Sequence, residues 1–372
     1  MGLTLMEGNE LIAWAAYEAG CRFFAGYPIT PATAIYNAML RLLPPEGGIV
    51  LQGEDEIASI GYCLGASMCG WKAMTATSGP GISLFSESVS FAIGSEIPIV
   101  IVDVQRLGPS TGSATKGADG DIQFMRWGNS GGLPVIVLAP ADVADCFPIT
   151  MHAFNLAEQY RCPVFIASNK EIGLTGESVD FPALERAPVV HRRLAPDGEP
   201  FLPFRPAAGS DAPYFLPFGA KTLVRQTSST HGENGYITTD PAEIRAANER
   251  LDRKLTANVD RFSYYQEEPV ADATTLMVTY GVTSRAARLA CRELNKRGEK
   301  VTLLVLKTLF PVPQNVIRRA AAGVKRALVV EMNQGQYALE VDRVLKNHHV
   351  EFCGAMDGKL ISPGRIMEAA SG

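Results

Sequence analysis

Two apolar runs constrain what this chain can fold into more than any other feature. Ile97–Val104 (IPIVIVDV) and Pro134–Ala139 (PVIVLA) are nearly continuous aliphatic segments, without the polar–apolar alternation of a strand wetted on one face. Such strands need cover on both sides, which is the position of interior strands in a parallel sheet layered between helices. The flanking segments carry the complementary pattern. A helix is predicted from Asn9, which can cap it, through Glu18, with Gly20 as its stop. Phe23–Gly26 reads as a short strand, and Pro31 suits the first turn of a helix that ends before Pro44-Pro45. Ile49–Gln52, Lys72–Thr77 and Val164–Ser168 read as further strands. Helices are predicted over 55–69, after Ser78-Gly79-Pro80-Gly81, and over Ala141–Tyr160. Residues 1–178 therefore read as a parallel α/β domain.

The pattern then breaks. Eight prolines fall between Pro182 and Pro217 and periodicity disappears, so residues 179–270 read as a Pro-rich connection laid on domain surfaces, closed by a helical segment near Ala242–Asp260. Regular alternation returns at Thr275. Strands are expected at Thr275–Gly281, Val301–Leu306, Arg326–Glu331 and near Glu351–Gly354. Helices are expected at Thr283–Arg297, after Pro313, and across Tyr337–Leu345. Residues 271–372 are thus a second, smaller α/β domain, and the fold class is α/β with two parallel-sheet domains.

Composition narrows the function classes. With 47% hydrophobic and 20% charged residues the 372-residue chain is not a disordered one, and 35 glycines with 24 prolines exclude a coiled coil. A net charge of −5 offers no basic excess for a nucleic-acid backbone. The seven cysteines never stand at C-x-x-C spacing, so no metal or iron–sulfur ligands are expected in this chain, and the thiols read as buried and reduced. The N-terminus has no signal-peptide h-region, and no apolar run approaches the roughly 20 residues of a membrane span. A cytoplasmic protein is expected.

Ligands of doubly wound sheets sit in loops at the carboxyl ends of strands, and four such loops stand out. In Gly26-Tyr27-Pro28-Ile29-Thr30-Pro31 two prolines stiffen the backbone around one hydroxyl, Thr30, which reads either as a helix cap or as a site residue. Glu54-Asp55-Glu56 opens an otherwise apolar helix. Acids there suit the helix dipole, but Glu56 would face inward, where a carboxylate needs a partner. Ser78-Gly79-Pro80-Gly81 permits close approach of another group, but it lacks the lysine of a nucleotide loop. Asp103 ends a buried strand and Arg106 follows, placed either to bind a carboxylate or phosphate or to pair with the acids at 54–56. No nucleophile elbow accompanies them, and none of the five histidines lies in these loops; His231 sits in a polar loop of the connection. A carboxylate, a hydroxyl and an arginine without a nucleophile suggest that a cofactor supplies the reactive carbon.

Four ordered motifs then identify a resemblance: Gly26–Pro31, Glu54–Ile60 (EDEIASI), Ala76–Gly81 (ATSGPG) and Val102–Gly112 (VDVQRLGPSTG). Together with Phe154–Glu158, Arg161, Pro163–Phe165, Val330–Asn333 and Gly335–Tyr337, they resemble the alpha subunit of 2-oxoacid:ferredoxin oxidoreductases, most of all the 2-oxoglutarate branch. The resemblance implies a pyrimidine-binding domain for thiamine diphosphate and a transketolase-C-terminal-like domain. It implies a beta subunit that holds the diphosphate, Mg2+ and an iron–sulfur cluster, a separate gamma subunit, ferredoxin and coenzyme A as further partners, and a dimer of heteromers. Carried over by position, Glu56 matches the acid on the pyrimidine nitrogen, Arg106 the receiver of the substrate 1-carboxylate, and Thr30 the hydroxyl beside the reacting carbonyl. Tyr27, Pro28 and Ile29 would line the cofactor, with Ser110 and Thr111 as further substrate contacts. The implied reaction is oxidative decarboxylation of 2-oxoglutarate to succinyl-CoA, or its reversal. Two departures stand against the pattern: Trp127-Gly128-Asn129-Ser130-Gly131-Gly132 lacks a His and an Asp, and Ser113-Ala114-Thr115 lacks a proline. The first leaves a branched-chain 2-oxoacid or pyruvate open as substrate. A non-catalytic scaffolding subunit and a nucleotide-binding protein using 78–81 are the rivals from other classes.

Overall fold

The computed structural model describes residues 2–198 and 200–371. Fourteen strands appear in them: β1 Thr4–Glu7, β2 Cys21–Gly26, β3 Ile49–Gln52, β4 Lys72–Thr77, β5 Ile99–Gln105, β6 Ile136–Leu138, β7 Pro163–Asn169, β8 Gly176–Val179, β9 Tyr265–Glu268, β10 Thr275–Tyr280, β11 Val301–Leu306, β12 Thr308–Phe310, β13 Arg326–Glu331 and β14 His349–Gly354. The larger sheet has the order β12-β6-β7-β5-β4-β2-β3, parallel throughout except at β12. The second sheet runs β14-β13-β10-β11-β9, parallel except at β9. The two strongest apolar runs become β5 and β6. Both lie inside the larger sheet, and every residue of each is buried.

Alternation along β5 divides the interior. Val100, Val102 and Val104 face a core built with helices 8–18, 33–42 and 146–160. Ile99 and Ile101 face a second core that contains Ile60 and Cys63 of helix 56–68 and runs on into Val278, Leu304 and Tyr337 of the C-terminal region. The two sheets therefore share one apolar interior. β12 strengthens the join, because it comes from the C-terminal region but pairs with β6 of the first sheet.

Several expectations are corrected at the helix starts. Asn9 is not a cap: its helix begins at Gly8, and the buried Asn9 donates through Nδ2 to the Pro31 carbonyl at 2.9 Å. Thr30 is not a cap either, since the next helix starts at Thr33 without a side-chain cap. The helix expected from Ala141 starts at Cys146, because Asp145 turns back to accept from the Ala141 N–H at 2.9 Å. The helix after Gly81 is two, Pro80–Leu84 and Ser86–Gly94. The antiparallel pair β1–β8 and the edge strands β9 and β12 had no counterpart in the sequence pattern.

Buried ion pairs fasten the Pro-rich connection. Glu96, fully buried, accepts from Arg250 at 2.6 Å and Lys254 at 2.7 Å, which pins helix 241–256 to the first domain. Asp240 caps that helix by accepting from the Ala242 and Glu243 N–H groups. Arg192 pairs with Glu158 at 2.5 Å and also donates to the Ser67 carbonyl. Lys72 donates to the carbonyls of Ala19 and Val190. Every one of these groups replaces lost hydration with a specific partner, as buried charge requires.

Candidate functional site

The site forms where the loops after β2, β3, β4 and β5 meet. Asp55 caps helix 56–68, its Oδ1 accepting from the Ala58 N–H at 2.7 Å. Capping thus falls to Asp55, and the next residue, Glu56, is left free of that duty. Glu56 is only 6% exposed, and burial raises its carboxyl above the ordinary range, with the neighbouring Asp55 adding to the rise and Arg106 opposing it.

The loop after β4 explains why Glu56 can lie there. A Cβ placed on Gly81 would stand 2.0 Å from Thr77 Oγ1 and 2.6 Å from Glu56 Oε1, so no side chain fits between them. Gly79 has φ of +54°, a left-handed conformation natural to glycine, and its missing Cβ would stand 2.9 Å from Arg106 Nε. One short turn therefore touches the acid on one side and the guanidinium on the other. The close approach expected for 78–81 is made by these two side chains of the chain itself.

Arg106 follows β5 directly and is 5% exposed. It forms no ion pair with the acids at 54–56 among the described residues. Its Nη1 donates to the Thr30 carbonyl at 2.5 Å, and its Nε is buried without a protein partner among those residues. Thr30 thus meets Arg106 through its backbone, and its side chain stands exposed beside it. Asn9 holds the next carbonyl, Pro31, which fixes the same turn from below. A buried guanidinium with free donors is a ready receiver for a carboxylate.

The remaining candidates lie around this centre. Tyr27 is 41% exposed, while Pro28 and Ile29 are partly buried, Ile29 against the first-domain core. Ser110 and Thr111 are exposed at the tip of a loop closed by the Leu107–Ser113 bridge, and the Ser110 carbonyl faces Gly79. His231 is elsewhere: it is buried in the connection, bonded to the Ser229 carbonyl, with its ring tilted against Phe204. The 127–132 loop bonds to helix 86–94 through Ser86 and Ser90. Sequence reasoning missed the contact of Asn9 with Pro31, Thr77, the buried acids Asp103 and Asp119, and the partly buried Asp121 beside them. The one available signal was an aspartate inside the IPIVIVDV run.

The surface beside Glu56 is apolar and open. Ile57 and Tyr62 are 53% and 49% exposed on helix 56–68, with open space above Gly61 and Gly65 of the same helix. The edge strand β3 adds Ile49 and Leu51. All seven cysteines are free and six are buried. No helix of the described residues is long and apolar enough to cross a membrane.

Comparison with known proteins shows the family. Residues 14–250 match the family described as pyruvate flavodoxin/ferredoxin oxidoreductase, thiamine diphosphate-binding, and residues 273–366 match pyruvate:ferredoxin oxidoreductase core domain II. The chain is 40% identical to the 2-oxoglutarate synthase subunit KorA of Methanothermobacter thermautotrophicus, over 97% of this chain and 96% of that protein. It is 34% identical to the ketoisovalerate oxidoreductase subunit VorB of the same organism, over 99% and 97%. Among solved structures, 2-oxoglutarate:ferredoxin oxidoreductase from Magnetococcus marinus superposes with a TM-score of 0.93 at 31% identity; all of this chain is covered, and it spans 65% of that chain's length. An inactive split-gene transketolase, 11% identical with a TM-score of 0.57, shares the fold alone.

Proposed function

Because the chain belongs to the thiamine diphosphate-binding pyruvate flavodoxin/ferredoxin oxidoreductase family, we propose that it is the alpha subunit of a 2-oxoglutarate:ferredoxin oxidoreductase. The reaction would be oxidative decarboxylation of 2-oxoglutarate to succinyl-CoA and CO2 with electrons to ferredoxin, or the reverse reductive carboxylation. One observation carries the reading: a buried, uncapping carboxyl and a buried, unpaired guanidinium flank a single glycine turn.

The residues fit the cofactor that the family implies. Gly81 leaves Glu56 a carboxyl kept from its own loop, and burial keeps that carboxyl protonated to higher pH than a surface glutamate. Such a group can hold a proton toward a ring nitrogen, as the pyrimidine requires. Tyr27, Pro28 and Ile29 would line the same ring. Thiamine diphosphate, when bound, supplies the reactive carbon that this chain's side chains lack. Arg106 then receives the substrate 1-carboxylate through two parallel charge-assisted hydrogen bonds, and the Thr30 hydroxyl orients the 2-oxo group beside it. Ser110 and Thr111 close over the substrate from the loop tip.

The open apolar face around Ile57, Gly61, Tyr62 and Gly65 suits a beta subunit that brings the diphosphate site, Mg2+ and an iron–sulfur cluster. A separate gamma subunit, ferredoxin, coenzyme A and a dimer-of-heteromers assembly complete the proposal, in the cytoplasm. Coexpression with the beta and gamma chains and assay of a 2-oxoacid panel with a low-potential acceptor tests it. Turnover with 2-oxoglutarate should dominate. The departing 127–132 loop favours a second reading, a branched-chain oxoacid or pyruvate, and a dominant rate with either would establish that reading instead.

A further inference from the structure

We propose that a cavity between the Pro-rich connection and the first domain binds a phosphate dianion, either the free ion or the phosphate end of a small polar metabolite.

The cavity has a volume of about 700 Å³ and lies between the end of helix 146–160, the connection near 191–193 and 209–213, and residues 254–261. It is remote from the candidate site. Arg161 precedes β7, whereas Arg106 follows β5, and the two strands run parallel with Ile99 beside Pro163 and Gln105 beside Asn169. β7 spans seven residues, so the two places are about 20 Å apart. The anion at this cavity is therefore not the substrate carboxylate.

The buried charge on the cavity wall is out of balance. Glu96, Glu158, Arg161, Arg192, Arg250 and Lys254 form one connected group in which none is more than 8% exposed. Lys254 Nζ donates to Glu96 at 2.7 Å and to the Arg161 carbonyl at 3.3 Å, and Arg250 takes the other Glu96 oxygen at 2.6 Å. Arg192 pairs with Glu158 at 2.5 Å. Arg161 and Arg192 lie over the same Phe215 ring, 5.6 and 4.6 Å from its centroid. Four cations thus share two carboxylates. The ring face and the carbonyl ends of helices 146–160 and 241–256 offset part of the excess, about half a charge for each helix. Nearby acids are already taken, Asp211 by Arg253 at 2.6 Å and Glu233 by Arg205 at 3.0 Å. A positive remainder is left in the interior, where charge needs a counter-charge.

The free donors of this group open on the cavity. Arg161 gives Nε to the Glu96 carbonyl at 3.1 Å and Nη1 to the Tyr214 carbonyl at 2.8 Å. Its Nη2 is neither bonded nor sealed among the described residues. Lys254 has a third N–H beyond its two partners. At the exposed rim, Arg193 gives only Nη1, to the Ala208 carbonyl, and the Arg261 side chain has no partner among the described residues. In a chain of net charge −5 this concentration of cations is not background.

That donor set selects the ligand class. A phosphate monoester brings about −1.5 to −2 charges and three acceptor oxygens, which guanidinium forks grip in pairs, whereas a carboxylate brings one charge and two oxygens. A phosphate group fills only a small part of the cavity. Gln159, Ser210 and Asn258 on the remaining wall suit a hydroxylated body attached to it.

The test titrates the full-length chain with inorganic phosphate, glucose 6-phosphate and glucose at constant ionic strength in chloride, followed by calorimetry and by Tm. Saturable binding at one site per chain is expected for both phosphates, with a raised Tm, and none for glucose. Arg261→Gln should weaken it about tenfold, and Arg261→Gln/Arg193→Gln should remove it. Both side chains are exposed, so the unliganded variants should fold as wild type does. Tighter binding of glucose 6-phosphate supports the cavity with an ester as its occupant; tighter binding of inorganic phosphate supports it with the free ion. No saturable binding of either, or the same Tm rise from added chloride, overturns the site. Affinity unchanged in the double variant also overturns it, and loss in Arg106→Gln instead would place the phosphate in the candidate site.

Discussion

Gly81→Ala is the sharpest perturbation of the site, because it adds one carbon where two named atoms already stand. The new Cβ would fall 2.0 Å from Thr77 Oγ1 and 2.6 Å from Glu56 Oε1, against an ordinary contact of about 3.4 Å or more. The Thr77 contact needs well over 1 Å of relief. Thr77 ends an interior strand and its β-branched side chain has few rotamers, so the fold bears that strain. Overpacking of this kind costs about 1–3 kcal/mol. The Glu56 contact is different, since the far end of a glutamate side chain can swing away at little cost to the fold. It cannot do so without moving the carboxyl by nearly 1 Å, and misplacement of that size costs about 100-fold in rate. Gly81→Ala should therefore lower Tm modestly and turnover of the assembled enzyme about 100-fold. Removing the Thr77 hydroxyl in Gly81→Ala/Thr77→Ala should recover Tm while turnover stays low. If the double variant regains turnover along with stability, or the single variant turns over normally, the loop does not set the position of Glu56 and the reasoning is wrong.

Glu56→Gln keeps the shape and removes the proton-holding carboxyl; turnover should fall by about 100- to 10,000-fold while the complex still assembles on size-exclusion chromatography. Near-wild-type rates would exclude Glu56 from the chemistry. Thr30→Val should leave Arg106 in place, because Arg106 binds the backbone carbonyl of Thr30, and should lower kcat/KM through the lost hydroxyl by about 10-fold. A loss of folding or of subunit assembly in that variant would contradict the backbone role. Glu96→Gln leaves Arg250, Lys254 and Arg161 facing one another in the interior and should cost about 3–5 kcal/mol in denaturant unfolding. The same residue sets an acid limit. Lys254 and Arg250 hold the Glu96 carboxyl down to about 2, below its ordinary value, so its contribution is complete above about pH 5 and is lost as pH falls toward 2. Wild-type acid unfolding should weaken in Glu96→Gln over that window, as followed by circular dichroism; an unchanged acid midpoint would count against it.

The scaffold was legible wherever local pattern and tertiary environment agree. β11 and β13 begin and end where their apolar runs do, because buried parallel strands need near-continuous apolar sequence, and the expected bounds also hold for the more polar β4 and the exposed edge strand β3. The losses are of another kind. β12 is three residues long and exists only because β6 offers an unpaired edge, a partner more than 150 positions away. Asn9 has the ideal chemistry for a helix cap, yet it is spent on the Pro31 carbonyl because the helix starts one residue earlier. In the site, Glu56, Arg106 and Thr30 could each be picked out as a polar residue at the carboxyl end of a strand, and the structure brings them to one turn. Their use could not be read in the same way. That Glu56 is not the capping acid shows only once Asp55 is seen to take the cap, and that Arg106 makes no ion pair with the acids at 54–56 shows only once the Thr30 carbonyl is seen to take Nη1. Asp103 stayed hidden because a carboxylate inside an apolar run reads as the end of a strand, whereas β5 continues to Gln105.

Helix 56–68 shows how one element meets two opposed demands. Its inner face must be apolar to pack on the sheet, and Ile60, Cys63 and Leu64 supply that, each 5% exposed or less. Its N-terminal turn must hold a carboxyl out of water without pairing it, which Gly81 and Asp55 arrange between them. Its outer face then carries Ile57 and Tyr62 in solvent, beside Gly61 and Gly65, which add no side chain. That arrangement stabilises nothing in the isolated chain, since exposed apolar surface contributes only when it is removed from water. It does lower the cost of close approach by a second body, because glycines let a partner's backbone or side chains reach the helix axis. Substituting Gly61 by Gln should therefore leave the unfolding free energy of the isolated chain within about 1 kcal/mol of wild type, as for an exposed helix site, while abolishing copurification with the partner subunit. Copurification at wild-type yield would place the partner on a different surface and leave the exposed Ile57 and Tyr62 without a role in assembly.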